Sequence, residues 1–402
     1  MTSKILIVDD GFDRKILGHI LTKEGYEVLE AADGAEGLRL SLEAQPDLIL
    51  LDVNMPKLDG FGLCSFLQND PRTAEIPVIF LTSLDEAQDK IIGLEIGAVD
   101  YITKPYDIGE VTARIRNQLK IHHLTQELRR ANEELREKQR QLDEDLKAAA
   151  SIQKSLLPSD QLSLENVMLV WRFYPCELIG GDIFNVLRIH EDYLGFYIID
   201  VSGHGVPAAL VTVSITQSLH YYKENIKLMN CEASLHTILS PSRLLASLDK
   251  EYPMERFDKY FTMAYLVLNI RTGELVYANA AHPPPVLLRL AGEFRLLEEG
   301  GSIIGLGGAI PFFEGTVNLQ PGDKVILYTD GLVDYQNDRG EFFGEERLYE
   351  FCQKQHAAPL QQLTDELFAS LQAFGKNAKL RDDVSYLAFE YQGTSEPHGR
   401  RG

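Results

Sequence analysis

The chain has 402 residues, 45% of them hydrophobic, and a formal net charge of −21 from 39 Lys and Arg against 60 Asp and Glu. That length exceeds one ordinary core and predicts roughly two or three domains, while the acidic balance argues against an output that grips nucleic acid or an anionic membrane surface. Cys64, Cys176, Cys231 and Cys352 lie far apart with no C-x-x-C pair, which indicates neither a zinc site nor a disulfide framework and predicts buried thiols in a reducing compartment.

The first apolar run, Ile5-Leu6-Ile7-Val8, is too short for a signal peptide or a membrane span, so a cytoplasmic protein is expected. Ile16, Leu17, Ile20 and Leu21 follow at helical spacing. The alternation repeats with runs at 48–51 and 78–81, each followed by an amphipathic stretch, at 61–67 and 91–96. Continuous apolar strands between helices predict a doubly wound α/β domain over 1–120, its parallel sheet covered on both faces. Ligands in such domains gather at the carboxyl ends of the strands. There the sequence places Asp9 and Asp10, Asp52, Thr82 and, after the run 100–103, Lys104. Three neighbouring carboxylates would repel one another without a divalent cation, and Lys104 and the Thr82 hydroxyl suit a phosphoryl oxygen. Asp52 is then the natural phosphoacceptor.

Residues 121–150 change to Glu, Lys, Arg, Gln and Leu without Gly or Pro, and Ile121, Leu128, Leu135 and Leu142 recur every seven residues. This predicts a long helical linker, with either a coiled-coil seam that pairs two copies or a solvated single helix. Reading the leucines as d puts Thr125, Asn132, Gln139 and Leu146 at a; reading them as a puts Leu124, Ala131, Lys138 and Asp145 at d.

After Pro158 the sequence turns strand-rich, at 167–174, 193–199, 261–270, 275–279, 286–290, 325–328 and 386–391, with helical stretches near 208–222, 242–251 and 360–374. Grouped strands with a few helices predict an α+β domain over 151–392, with stacked β-sheets flanked by helices. Residues 393–402 hold no core formers, and a disordered tail is expected.

Four acidic sites punctuate this half: Gly180-Gly181-Asp182, Asp200-Val201-Ser202-Gly203-His204-Gly205, Thr329-Asp330-Gly331 and Asp382-Asp383. Carboxylate oxygens suit Mg²⁺ or Mn²⁺, and two ions held ~3.5–4 Å apart can activate water and clamp a phosphoryl group. That chemistry is phosphate-ester hydrolysis. No local loop collects these aspartates, so only a folded scaffold could bring them together.

Two family likenesses sharpen the reading. Residues 1–120 resemble the response regulator receiver domain. The resemblance implies a five-stranded parallel sheet, Asp9 and Asp10 as an acidic pair holding Mg²⁺ with Asp52 and the Asn54 carbonyl, and Asp52 as the phosphorylated aspartate. It also implies Thr82 as switch hydroxyl, Tyr101 as switch aromatic, Lys104 as phosphate partner, and a cognate histidine kinase upstream. The blocks from Ala148 to Pro158 (AAASIQKSLLP), GGD, DVSGHG, Asn279-Ala280-Ala281-His282-Pro283-Pro284, TDG and Asp382-Asp383-Val384-Ser385 resemble, in that order, PPM-type serine/threonine phosphatases of the bacterial sporulation and stress-response branch. This second likeness implies two Mn²⁺ or Mg²⁺ ions, with Asp200 bridging both and the Val201 carbonyl helping one. Asp330 and Asp382 would hold the second ion, Asp182 would contact a metal or its water, and Asp383 would join the ligand set. The implied substrate is a phosphorylated antagonist of an anti-sigma factor. The rival reading is a non-catalytic adaptor with a phosphatase-like binding domain gated by the receiver.

His204 and His282 are expected to be structural, since imidazole competes poorly with carboxylates for Mg²⁺. Arg172 is the nearest arginine upstream of Asp182, and no arginine is well placed for substrate phosphate. Gly180-Gly181-Asp182-Ile183-Phe184 is one substitution from the GGDEF signature of diguanylate cyclases, but Ile183 replaces the acidic residue and the later blocks favour the phosphatase.

Overall fold

The computed structural model describes residues 2–83, 91, 93–159, 164–228, 240–376 and 378–393. Cys231, Ile92 within the stretch 91–96, and the expected tail from 394 onward lie outside the described residues. The chain divides into two compact units, Met1–Arg140 and Gln141–Gly402.

In the first unit, strands β1 (Lys4–Val8), β2 (Glu27–Ala31), β3 (Leu48–Asp52), β4 (Val78–Thr82) and β5 (Asp100–Thr103) form a parallel sheet in the order β2-β1-β3-β4-β5. Alternation along the strands sends Leu6, Val8, Ile49 and Leu51 to one core and Ile5, Ile7, Leu48 and Leu50 to the other. Both faces are therefore buried, which is why these strands read as unbroken apolar runs. Strand β2 escaped the sequence pattern because it lies at the sheet edge and its two glutamates face solvent. After α1 (Asp13–Lys23), two helices start on aspartate caps: Asp33 accepts from Glu36 N before α2 (Gly34–Ala44), and Asp59 from Gly62 N before α3 (Gly60–Asn69).

A 48-residue helix, α4 (Ile108–Ser155), begins earlier and ends later than the stretch 121–150. Its first turns bury Val111, Ile115 and Leu119 on the parallel sheet. Farther along, Ile121, Leu124, Leu128, Leu135 and Leu142 are all exposed.

The second unit stacks two sheets. One runs β13-β10-β9-β8-β7, with β14 (Gly315–Asn318) also on β10 (Glu274–Ala280); its other strands are β7 (Asp182–His190), β8 (Tyr193–Val201), β9 (Phe261–Asn269) and β13 (Gly300–Gly301). The other runs β12-β11-β15-β16-β6, made of β6 (Val167–Tyr174), β11 (Val286–Leu288), β12 (Phe294–Leu296), β15 (Lys324–Tyr328) and β16 (Val384–Tyr391). Phe196 of the first sheet stacks on Phe389 of the second at 4.0 Å between ring centroids, and Trp171 tilts against Phe184 at 5.7 Å. Helices Val206–Leu228 and Pro241–Glu251 cover the outside of the first sheet, and Leu360–Gly375 covers the second. Strand β7 was not anticipated, because Asp182, Asn185 and Arg188 interrupt its apolar positions. Among the described residues no helix is long and apolar enough to cross a membrane.

Candidate functional site

The first unit brings its predicted polar residues together at the carboxyl end of the sheet. Asp9, Asp10 and Asp52 each offer an oxygen within 4.8 Å of the others. Asp9 and Asp52 are buried and Asp10 is exposed. Lys104 Nζ lies 2.9 Å from Asp9 Oδ2 and 2.7 Å from Asp52 Oδ2, and also 3.6 Å from Asp13, a residue the sequence reading missed. Burial drives the Asp52 carboxyl upward, and the Asp9 charge adds to this; Lys104 opposes both, but the net direction is up. Asp9 is buried too, yet its bonds from Lys104 and the Gly11 amide outweigh burial and hold its carboxyl low. The two acids are thus poised differently, with Asp52 the more basic.

The Asn54 backbone N–H donates to Asp52 Oδ1 at 3.3 Å. Thr82 and Tyr101 line one small cleft with Val53, Phe61 and Phe80. A Cβ on Gly60 would stand 2.3 Å from the Asp52 carbonyl oxygen, so the turn after β3 closes only over glycine. Three oxygens so spaced fit a hard divalent ion.

In the second unit the acidic residues come from four separate segments. The β7–β8 register sets Asp182 opposite Asp200. A strand period of two places Asp200 on the face of Phe196, which points between the sheets. Asp330 follows β15, and Asp382 and Asp383 precede β16, at the end where Tyr328 pairs with Tyr386. Thr329 Oγ1 donates to Asp182 Oδ2 at 2.7 Å and so joins the two sheets at this rim.

Glycine contacts show why the motifs have their spelling. A Cβ on Gly180 would stand 2.0 Å from Asp383 Oδ2, one on Gly181 2.7 Å from the Val201 carbonyl oxygen, and one on Gly331 2.0 Å from the Asp383 carbonyl oxygen. GGD, DVSGHG, TDG and DD are therefore mutually fitted surfaces. Gly203 and Gly205, with φ of 82° and 76°, supply the left-handed turn after β8.

The carboxyls perturb one another. Asp182 is pushed well up by burial and then by the charges of Asp200 and Asp383. Asp200 is pushed up to about 7 by burial and then by Asp330, Asp382 and Asp383. Asp330 is raised by burial, then by Asp382 and Asp334. Asp382, at the exposed rim, is raised by desolvation against the protein and by Asp383 and Asp334, with the nearby His204 partly offsetting this. Asp334 escaped the sequence reading, although it stands one helical turn after Asp330. An acidic cluster that resists ionisation suits divalent cations, which would remove the repulsion. It is more open than the first site: among the described residues, only Asp9, Asp10 and Asp52 set three ligand atoms within 4.8 Å.

Asp383 stands apart from the other acids. It is buried, and its oxygens accept from the amides of Cys176 at 2.8 Å, Gly181 at 2.7 Å and Asp182 at 3.4 Å. His282 is also buried and links the two sheets, with Nδ1 2.8 Å from Thr262 Oγ1 and Nε2 3.0 Å from the Tyr328 carbonyl oxygen. A carbonyl only accepts, so Nε2 carries the hydrogen; burial pushes this imidazole down to about 3. His204 is exposed, 3.3 Å from Glu177. Arg172 is paired with Asp365 at 2.5 Å.

The parallel sheet with its acidic trio is a receiver domain, and the stacked sheets are a PP2C-like phosphatase fold. The response regulator receiver domain model matches residues 5–116 and the Stage II sporulation protein E (SpoIIE) model residues 190–392. The second match spans just over half of the 402 residues, and the chain belongs to the SpoIIE family. Among solved structures, the SiaA-PP2C domain of Pseudomonas aeruginosa is similar in fold, with a TM-score of 0.53 and 23% identity, over 63% of this chain and 98% of that one. A DNA-binding dual master transcriptional regulator, RpaA, of Synechocystis is 49% identical over 118 residues, 29% of this chain and 49% of that protein. Response regulator PleD of Caulobacter vibrioides is 45% identical over 130 residues, 32% of this chain and 29% of that protein. The chain thus spans half or less of the length of these relatives. Its domain composition is that of a response regulator with a phosphatase-type output domain.

Proposed function

We propose that this chain is a cytoplasmic two-component response regulator whose output unit removes phosphate from phosphoserine or phosphothreonine on a partner protein, using Mn²⁺ or Mg²⁺. The observation that carries this reading is the convergence of Asp182, Asp200, Asp330 and Asp382 at one rim of the sandwich, with their carboxyls raised by burial and by one another. In this reading Asp200, with the Val201 carbonyl, Asp330 and Asp382 would hold the two ions, and Asp182 would orient a ligand of one. Asp383, proposed from sequence as a ligand, fits better as the anion that fixes the Gly181 and Asp182 amides. Divalent ions bound there supply a lowered water pKa and polarised phosphoryl oxygens.

A cognate histidine kinase phosphorylates Asp52, with Mg²⁺ held by Asp9, Asp10, Asp52 and the Asn54 carbonyl. The new group brings about −1.5 to −2 charges, which Lys104 and the Thr82 hydroxyl capture while Tyr101 responds beside them. The partner is a phosphorylated anti-sigma factor antagonist or a protein of that kind, and the exposed stripe Ile121, Leu128, Leu135 and Leu142 pairs two copies of the linker helix.

The test is hydrolysis of an aryl phosphate by the full chain with and without Mn²⁺, followed by assay on phosphorylated candidate antagonists. Metal-dependent turnover is expected. A folded protein without turnover would instead favour the adaptor reading, in which the receiver gates binding alone.

A further inference from the structure

The block from Ala148 to Pro158 is the sequence signature that the acidic rim leaves unexplained. Within it Gln153 is only 3% exposed. Both ends of its amide go to one residue: Nε2 donates to the Gly180 carbonyl oxygen at 2.8 Å, and Oε1 accepts from the Gly180 amide at 3.1 Å. The following residues are gripped from the other side, since the Gly181 and Asp182 amides donate to Asp383 and the Gly181 carbonyl accepts from Val201 N at 3.2 Å. The loop that ends in Asp182 is therefore clamped between the end of α4 and Asp383. A neighbouring bond, Asn185 Nδ2 to the Leu156 carbonyl oxygen at 2.5 Å, anchors the same chain end without touching this loop.

We propose that Gln153 is a positioning residue: through Gly180 it fixes where Asp182 stands opposite Asp200, and so ties the last turns of α4 to the cation affinity of the rim. The proposal rests on the reading of that rim as a cation site. A side chain that offers one donor and one acceptor at this reach can satisfy both groups of a single residue, as the glutamine amide does here. Methionine keeps much of the volume and loses both bonds, whereas an ionised glutamate keeps only the acceptor and sets a charge against the Gly180 carbonyl. Outer-shell partners of metal ligands commonly change affinity by about 10- to 100-fold.

The experiment is calorimetric titration of Mn²⁺ into the full chain carrying Asp9→Asn and Asp10→Asn, which removes the receiver's acidic pair and leaves the rim as the site read, with the rest of the sequence as wild type, Gln153→Met, Gln153→Glu or Asn185→Ala and melting followed by the fluorescence of Trp171. Weakening by about tenfold or more is expected in both Gln153 variants, with Asn185→Ala lowering the melting temperature but leaving Mn²⁺ affinity as in wild type. If Gln153→Met does not fold, Gln153→Glu carries the same comparison. Wild-type affinity in a folded Gln153 variant, or equal weakening in Asn185→Ala, would overturn the proposal. Wild type that binds no Mn²⁺ at the rim would sink the functional reading beneath it, a distinguishable failure.

Discussion

The receiver and the phosphatase unit solve one electrostatic problem in two ways. Asp9, Asp10 and Asp52 crowd within 4.8 Å at one sheet end, and Lys104 reaches between two of them, so the protein itself supplies a cation. Around Asp182, Asp200, Asp330 and Asp382 no lysine or arginine forms an ion pair among the described residues, and the carboxyls respond by holding their protons more tightly. A site with a built-in counter-charge suits the phosphorylation proposed for Asp52, in which Lys104 would pass from carboxylate to phosphoryl group. One without it depends on bound ions for its charge balance.

The sharpest way to break this comparison is to remove one carboxylate from each site. Asp330→Ala should cut hydrolysis about a thousandfold or more, since a metal contribution of several kcal/mol is forfeited, while circular dichroism stays native; unchanged turnover would remove Asp330 from the site. Asp52→Asn should abolish labelling by acetyl phosphate, and labelling at full stoichiometry would point to another acceptor.

The glycines give a smaller effect that should appear in both units. Gly331→Ala would drive a Cβ to 2.0 Å from the Asp383 carbonyl oxygen, and Gly60→Ala one to 2.3 Å from the Asp52 carbonyl oxygen. Each should cost about 1–3 kcal/mol as overpacking does, read as a lower denaturation midpoint, with Gly331→Ala reducing hydrolysis and Gly60→Ala reducing labelling. A variant as stable as wild type would show that the neighbouring backbone yields freely.

pH supplies the finest distinction. With a folded-state pKa of about 7 against 3.8, Asp200 keeps its proton in the folded chain over that window while the unfolded chain releases it. Its stabilising share is full below the unfolded value and is lost as pH rises through the folded one. His282, pushed down to about 3 from 6.5, acts oppositely, and stability falls as acid protonates it in the unfolded chain. Metal-free Asp200→Asn should therefore lose less stability than wild type between about pH 5 and pH 8, and melting across that range checks it. Identical slopes would contradict the raised Asp200.

The sequence disclosed these sites unequally. The receiver residues were readable because each sits directly after an apolar strand, where backbone topology fixes its place. The phosphatase aspartates were readable as chemistry beside glycine, though nothing local indicates that Gly331 packs on Asp383 or Gly181 on Val201. Gln153 and Thr329 were unreadable in role, since an amide or hydroxyl is informative only once its partner is known, and theirs are 27 and 147 positions away. Asp13, Asp334 and the edge strand β2 were missed for the plainer reason that exposed acidic residues are common.

Anomalous scattering from a crystal of the full chain soaked in Mn²⁺ addresses the acidic rim most directly. The account predicts two manganese peaks among Asp182, Asp200, Asp330 and Asp382, with Asp383 still bound to the Gly181 amide. Peaks confined to Asp9, Asp10 and Asp52, with the rim carboxylates turned apart and no ion among them, would contradict it.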